Sequence, residues 1–374
     1  MKVRHLLGIS GGKDSAALAI YLKQSHPELD MDYYTCDTGR ELKETYDLVD
    51  KLQSYLGKPI ELLQAVNPKT DTPFDNTFDH FLAAYGGYLP SSTSRWCTKK
   101  LKLEPFEGYI GDEPTISYVG IRGDEDREGY ISKKQNVQSI FPFRKNIWSE
   151  DVNNLALSNS NMSQFKSCYL VNSKELIDRV NKFLTTKISE EFTLKQKINA
   201  LLDIDVKAYN RAMFEFLKTT AYPVGKLDHF PLVENDEVLK INDIFQILKN
   251  SGVGIPAYYN KREYQVEIDG EIKTGIYARS RSGCFFCFFQ QKIEWVWLLE
   301  NHPELYENAQ KYEKEGYTWM DSENLEELKQ PERVAKIKLE HYKKVQKNKT
   351  KRTSTSWQDE IVEAEGLGCA SCFI

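Results

Sequence analysis

The sequence predicts an α/β protein with a doubly wound, mostly parallel sheet, a helical insertion and a helical C-terminal region. Three observations say so. Short apolar runs alternate with helix-periodic runs over the first 150 residues, a glycine-rich loop follows the first apolar run, and the strand signals stop near residue 151.

The elements follow in order. "VRHLLGI" reads as a buried strand and "SAALAIYLKQS" as the helix behind it. "MDYYTCD" is a second strand, "ELKETYDLVDKLQSYLG" an amphipathic helix, "PIELLQAV" a third strand and "TISYVGIR" a fourth. Such βαβ units give residues 1–150 as one domain with helices on both faces of a parallel sheet. Residues 151–228 read as a helical insertion, since "KELIDRVNKFLTTKISEEFTLKQKINALL" keeps helical period throughout. Residues 229–340 read as a helical region packed on the first domain. "INDIFQILKNSG" supplies one helix, stopped at Gly252, and "QQKIEWVWLLENHPELYENAQKYEKEG" an amphipathic pair. Residues 341–374 form a basic, polar tail expected to be flexible.

Composition narrows the class. The 374 residues, 40% hydrophobic and 28% charged, suffice for a sizeable core, and no apolar run approaches the ~20 residues that span a bilayer. The opening "MKVRHLLGISGG" lacks a secretory signal pattern, so a cytoplasmic protein without membrane attachment is expected. A net charge of −5 argues against a protein that coats nucleic acid by bulk charge, though local basic patches can still serve one. Seven cysteines, an odd number, favour metal or redox chemistry over structural disulfides.

The loop "GISGGKDSAA" carries the chemistry. A Walker loop needs G-x-x-x-x-G-K-[ST], but Gly8, Gly12 and Lys13 stand one residue too close and Asp14 replaces the hydroxyl residue. The bland reading is a glycine turn before a helix. The other is an anion cradle, in which glycines expose backbone N–H groups, the helix N-terminus adds its field, and Lys13 adds charge. The run Ser10-Gly11-Gly12-Lys13-Asp14-Ser15 resembles the PP-loop of the ATP pyrophosphatase superfamily, whose members cleave ATP between its α- and β-phosphates. That resemblance implies ATP as cofactor, with Asp14 as a ligand of Mg²⁺. "CDTGRELKETYDLV", "SRWCTKKLKLEPF", "YVGIRGDEDREG" and "RSGCFFCFFQQKIEWVWLLENHPELYENA" are similar to segments of the phosphoadenylylsulfate-reductase-like branch, with its adenine nucleotide alpha-hydrolase-like fold. The resemblance covers residues 1–150 and roughly 229–316, and leaves out the insertion and tail.

In a doubly wound sheet, strand carboxyl ends converge on one crevice. Ser10, the Asp37-Thr38-Gly39 turn and Arg122 all follow such ends. Asp37 and Thr38 are expected to face a nucleoside, and Arg122, with Arg127 as a second candidate, to face phosphates as forked donors. Lys13, Asp14 and Arg122 are the expected catalytic residues.

Cys284-Phe285-Phe286-Cys287 has the spacing of a metal or cluster grip, and zinc, a cluster or two inert buried thiols all fit it. Similarity to relatives that thiolate nucleic acids implies a [4Fe–4S] cluster held by Cys97, Cys284 and Cys287, with a fourth ligand from Cys168, Cys36 or the tail. Cys369 and Cys372 in "GLGCASCFI" form a dithiol suited to receive or resolve sulfur, or a terminus of no consequence. Lys99, Lys100 and Lys102 after Cys97, and six basic residues among the ten from Lys343 to Arg352, are solvated faces or a lining for a polyanion. Tyr258, Tyr259, Trp295 and Trp297 are mostly core, a minority being candidates to stack on bases.

The motifs most resemble ATP pyrophosphatases of DNA phosphorothioation (Dnd/Ssp-type) systems. This implies adenylation of a DNA oxygen, sulfur insertion, and work alongside a cysteine desulfurase and other sulfur-modification proteins. Four other readings stand beside it: a sulfonucleotide reductase, a tRNA thiolation enzyme, an ATP sulfurylase small subunit and a non-catalytic nucleotide sensor. The intact loop and the single cysteine of "WCT" count against the reductase. The C-x-x-C counts against the sulfurylase.

Overall fold

The computed structural model describes residues 2–67, 72–73, 76–125, 131–132, 134–172 and 174–351. Five parallel strands make the main sheet: β1 (Arg4–Gly8), β2 (Met31–Cys36), β3 (Ile60–Leu63), β6 (Thr115–Tyr118) and β7 (Val137–Ile140), in the order β3-β2-β1-β6-β7. Between β3 and β6 the short antiparallel pair β4 (Val66–Asn67) and β5 (Thr72–Pro73) stands apart. In register, Leu7 faces Tyr33 on one side and Tyr118 on the other. The order reverses direction at β1, so the crevice of this doubly wound sheet opens between the ends of β1 and β6. The sequence reading anticipated four of the five strands. β7, "VQSI", carries two polar residues in four and gives no alternating or apolar signal.

Helices α1 (Lys13–Ser25) and α2 (Lys43–Leu56) follow β1 and β2, with Gly57 closing α2 in the left-handed conformation at φ +66°. After α3 (Thr77–Ala84), a helical run goes from α4 (Trp96–Thr98) through a wide π turn at Lys99–Leu103 into α5 (Glu104–Ile110). On one sheet face α1, fully apolar along "AALAIYL", lies in the core. On the other, Phe106 and Ile110 of α5 cover Leu6 and Tyr34.

Helices α6 (Glu150–Leu157), α7 (Met162–Asn172), α8 (Ile177–Thr185), α9 (Leu194–Ile204) and α10 (Val206–Leu217) fill the insertion, α9 starting at a capping box between Thr193 and Gln196. Their apolar faces join that of α1 in one continuous core, with Tyr169, Val180, Leu201 and Met213 buried alongside Leu18 and Leu22. α11 (Ile241–Asn250) packs along α1 and ends before Gly252 at φ +78°.

The C-terminal part holds a second core. The expected helical region is present, opened by a hairpin of β8 (Arg262–Ile268) and β9 (Glu271–Tyr277) that the sequence reading did not anticipate. Asp269 and Gly270, both at positive φ (53° and 80°), make the two-residue turn that matches strand twist. α12 (Lys292–Asn301), α13 (Pro303–Gln310), α14 (Leu325–Leu328) and α15 (Pro331–Lys351) follow. The basic run from Lys343 therefore begins inside a helix as far as Lys351, not in an unstructured tail, because "PERVAKIKLEHYKKVQKNKTK" is rich in helix formers and packs on the hairpin.

His341 Nδ1 of α15 and Tyr264 Oη of β8 share a 2.6 Å hydrogen bond. Burial, aided by Lys344, pulls the histidine's pKa down to about 4 from 6.5, so the folded state holds it neutral. A depressed histidine contributes stability that is complete above pH 6.5 and is lost as pH falls toward 4. The melting temperature should drop over that window in the wild type and drop less in His341→Gln. Parallel curves would remove this residue from the acid response.

Candidate functional site

Two neighbouring centres occupy the sheet's carboxyl edge. The first is the loop between β1 and α1. Gly11, at φ +73°, has the Thr45 methyl 2.2 Å from where a Cβ would stand, so neither conformation nor space admits another residue. Ser10 N donates to Ser15 Oγ (3.1 Å), which holds the loop as a ring against the start of α1.

Buried charge is concentrated here. Lys13 Nζ donates to Asp14 Oδ2 (2.9 Å), and Arg122 Nη1 donates to Asp14 Oδ1 (2.7 Å). Arg122 also reaches Asp124 Oδ1 through Nε (2.9 Å) and Glu125 Oε1 through Nη2 (3.2 Å). Lys13 and Arg122 have no exposed surface. Burial alone would raise the Asp14 pKa, but the Lys13 and Arg122 charges hold it down at about 2. Asp124 Oδ2 in turn accepts from Ile241 N (3.3 Å), tying the start of α11 to the same cluster. Gly120 is required beside it, because a Cβ there would stand 2.9 Å from Asp14 O.

The C-terminal part closes over this loop. Tyr258 Oη donates to Gly11 O (2.6 Å), the Tyr259 ring lies 5.3 Å from Lys13 Nζ, and Ser282 Oγ lies 2.8 Å from where a Cβ on Gly12 would stand.

The second centre begins two residues after Ser282. Cys97, Cys284 and Cys287 line one cavity with Thr38 and Lys102, walled by Phe78, Phe286, Phe288 and Phe289. The turn is fixed by Cys287 N donating to Cys284 O (3.1 Å) and by Phe285 N donating to Arg40 O (2.9 Å). Arg279 Nη2 donates to Cys284 O (3.2 Å), while Ser280 N and Oγ both donate to Glu294 Oε1, the residue that caps α12. Burial pushes the Cys97 thiol up to about 11, further raised by Cys287 and opposed by Lys102. Cys284 is raised more, by burial and then Glu41, with Lys102 again opposing. Among the described residues no group of three Cys, His, Asp or Glu side chains is arranged to hold a metal ion. The donor set itself, three thiols in one apolar cavity, suits a thiophilic metal or cluster.

The expected residues divide between the two centres. Ser10 to Ser15 and Arg122 meet at the first; Cys97, Cys284 and Cys287 at the second. Thr38, expected to face a nucleoside, belongs to the thiols. Its Oγ1 donates to Glu41 Oε1 (2.7 Å), leaving the Cys284 thiol to donate to Thr38 Oγ1 across 3.2 Å. Asp37 is likewise turned to its own loop, accepting from Gly39 N (2.8 Å), Tyr46 Oη (2.9 Å) and Gln64 Nε2 (3.0 Å). Cys168 lies on α7 against the insertion core and lines no part of the cavity. Cys36, whose thiol donates to Lys102 O (3.7 Å), stands much nearer. Lys102, read from sequence as part of a solvated face or a polyanion lining, lines the thiol cavity. Arg127, Cys369 and Cys372 lie outside the described residues. Tyr258, Tyr259, Trp295 and Trp297 are all buried. Sequence reasoning missed Glu41, Tyr258 as a loop partner and the acids Asp124 and Glu125. The last two stood inside the quoted "GIRGDEDREG" and are natural counter-ions for Arg122.

Residues 4–158 match the phosphoadenosine phosphosulfate reductase domain family. Over these residues, fewer than half of the 374, the chain is similar to that family. An uncharacterized protein of Methanocaldococcus jannaschii is 30% identical over 158 residues, 38% of this chain and 30% of its own length. A tRNA-specific 2-thiouridylase of Actinobacillus succinogenes is 26% identical over 175 residues, covering 38% of this chain and 42% of its own. Its counterpart in Mannheimia succiniciproducens is 25% identical over 234 residues, 53% of this chain and 58% of its own. The chain thus spans about a third to just over half of these curated relatives. No solved structure matches it. No helix among the described residues is long and apolar enough to cross a membrane.

Arg122→Ala leaves three buried or half-buried carboxylates short of their cation. It should cost about 3–5 kcal/mol in urea unfolding, with Arg122→Lys losing less. Gly120→Ala should lower the melting temperature and weaken nucleotide binding together, since the new methyl meets backbone, which cannot yield cheaply.

Proposed function

We propose that the chain is an ATP-dependent sulfurtransferase that adenylates an oxygen of a nucleic acid and replaces it with sulfur, most favourably a backbone oxygen of DNA. One observation carries this: the glycine loop and the cysteine turn share a wall, with Ser282 against Gly12 and Cys284 two residues on. An activated intermediate formed at one need travel only a short way to the other.

In this reading the loop N–H groups and the start of α1 hold the phosphates. Lys13 would turn from Asp14 to a phosphate oxygen, and Asp14 would then hold Mg²⁺, which would supply charge screening for the departing pyrophosphate. Arg122 stays on Asp14 Oδ1 and keeps that carboxylate ionised. The substrate oxygen attacks the α-phosphorus as the bond to pyrophosphate breaks. A sulfur nucleophile then displaces AMP. Cys97, Cys284 and Cys287 would hold an iron–sulfur group, with Cys36 as the nearest further thiol; such a group supplies an electron-rich sulfide. Lys102 lowers the cost of negative charge on these sulfurs, and the phenylalanines exclude water. A cysteine desulfurase would deliver the sulfur as a persulfide, and a thiol reductant, itself oxidised to a disulfide, would supply the two electrons that bring it to the sulfide level.

The 2-thiouridylase relatives favour tRNA as a second reading, with the same chemistry on a base carbonyl. Lys13→Ala should reduce pyrophosphate release by about a hundred- to a thousandfold. An unchanged rate would refute the loop assignment. Anaerobically prepared protein should be brown, with iron and acid-labile sulfide that Cys284→Ala removes; colourless protein carrying zinc would end the cluster reading. Mass spectrometry of nuclease-digested DNA and tRNA, with and without the gene, should show sulfur-bearing dinucleotides in DNA.

A further inference from the structure

Behind the Phe78 wall of the cysteine cavity, and joined to it through Trp96, stand aromatic rings that neither core uses. Tyr85, Tyr88 and Tyr317 are 41%, 38% and 38% exposed, although rings of this size normally bury most of their surface. They are held as a unit. Tyr88 and Tyr317 meet edge to face at 5.4 Å, and Tyr85 stacks on the buried Trp96 ring at 5.2 Å. Trp96 is fixed by its Nε1 donating to Tyr88 O (3.0 Å) and packs on Phe78, which lines the cavity. The chain turns beneath the rings at Gly86 and Gly87, both at positive φ (67° and 85°), and Lys314 Nζ lies 2.9 Å from where a Cβ on Gly87 would stand.

The segment that carries Tyr85 and Tyr88 is basic, whereas that of Tyr317 carries Glu313 and Glu315. From His80 to Leu103 there is no acidic residue in 24, while Arg95, Lys99, Lys100 and Lys102 fall within it. Arg95 and Arg281 lie over the Phe289 ring at the cavity mouth, at 5.2 and 5.6 Å. Exposed rings on a rigid base, beside guanidinium groups, are what unpaired bases and their phosphates require. A duplex hides its base faces and would meet only the charges.

We propose that this shelf binds an unpaired stretch of nucleic acid, stacking bases on Tyr88 and Tyr317 so that the reacting group enters the cavity past Arg95 and Arg281. The proposal deepens the sulfur-transfer reading and rests on it for the identity of the reacting centre. An acidic partner protein would meet the same charges but has no use for open ring faces.

The test is fluorescence anisotropy of the full chain, without ATP, against labelled 20-nucleotide oligo-dT, oligo-rU and a duplex of equal length. Single strands should bind more tightly than the duplex, and a preference for dT or rU supports the proposal while naming the sugar. Tyr88→Ala and Tyr317→Ala should each weaken single-strand binding about tenfold, whereas the Phe variants, which keep the ring, should bind as the wild type does. Equal affinity for duplex and single strand, unchanged binding in both Ala variants, or Phe variants as weak as Ala would overturn it. Because no ATP is present, such a failure leaves pyrophosphate release standing. Failed pyrophosphate release would equally leave strand binding intact.

Discussion

A buried guanidinium at the point where the sheet reverses direction organises this protein. Arg122 is completely enclosed and touches Asp14, Asp124 and Glu125. A charge in that position is tolerable only with partners in place, so it dictates where three loops must run. Asp14 is drawn to the start of α1, Asp124 to the start of α11, and Gly120 must stay bare to let the chains approach. Lys13 enters through Asp14. The loop between β1 and α1 is thus held in place by the chain's own buried ion pairs.

The second centre is built by different means. Its walls are aromatic and its position comes from backbone contacts, chiefly Phe285 N on Arg40 O and the Arg279 bond to Cys284 O. Cysteine thiols in such surroundings stay protonated, as their raised pKa values state. Lys102 is the opposing influence on Cys36, Cys97 and Cys284 alike. One cation thus opposes the effect of burial at all three thiols.

Much of this was legible beforehand. Long apolar strands beside periodic helices announced the parallel sheet, and the loop's residue order told against a Walker site. The cysteine grouping followed from two motifs almost two hundred residues apart. What escaped had weaker local signals. β7 is four mixed residues that become a strand only because β6 offers an edge. The hairpin did carry a readable mark, Asp269-Gly270 between alternating Tyr264, Val266 and Ile268, but it sat among helical stretches. Thr38 changed allegiance because its neighbour Glu41 and the distant Cys284 compete for it, and a one-dimensional reading does not see across 246 positions.

The merging of the insertion with α1 has a practical meaning. Tyr169, Leu201 and Met213 share one interior with Leu18 and Leu22, the helix that begins at the cradle. Cutting out residues 151–228 as though they were an appendage would unroof that helix and leave its oily flank wet. Any grafting, trimming or domain exchange should therefore keep the first 250 residues as a single indivisible block.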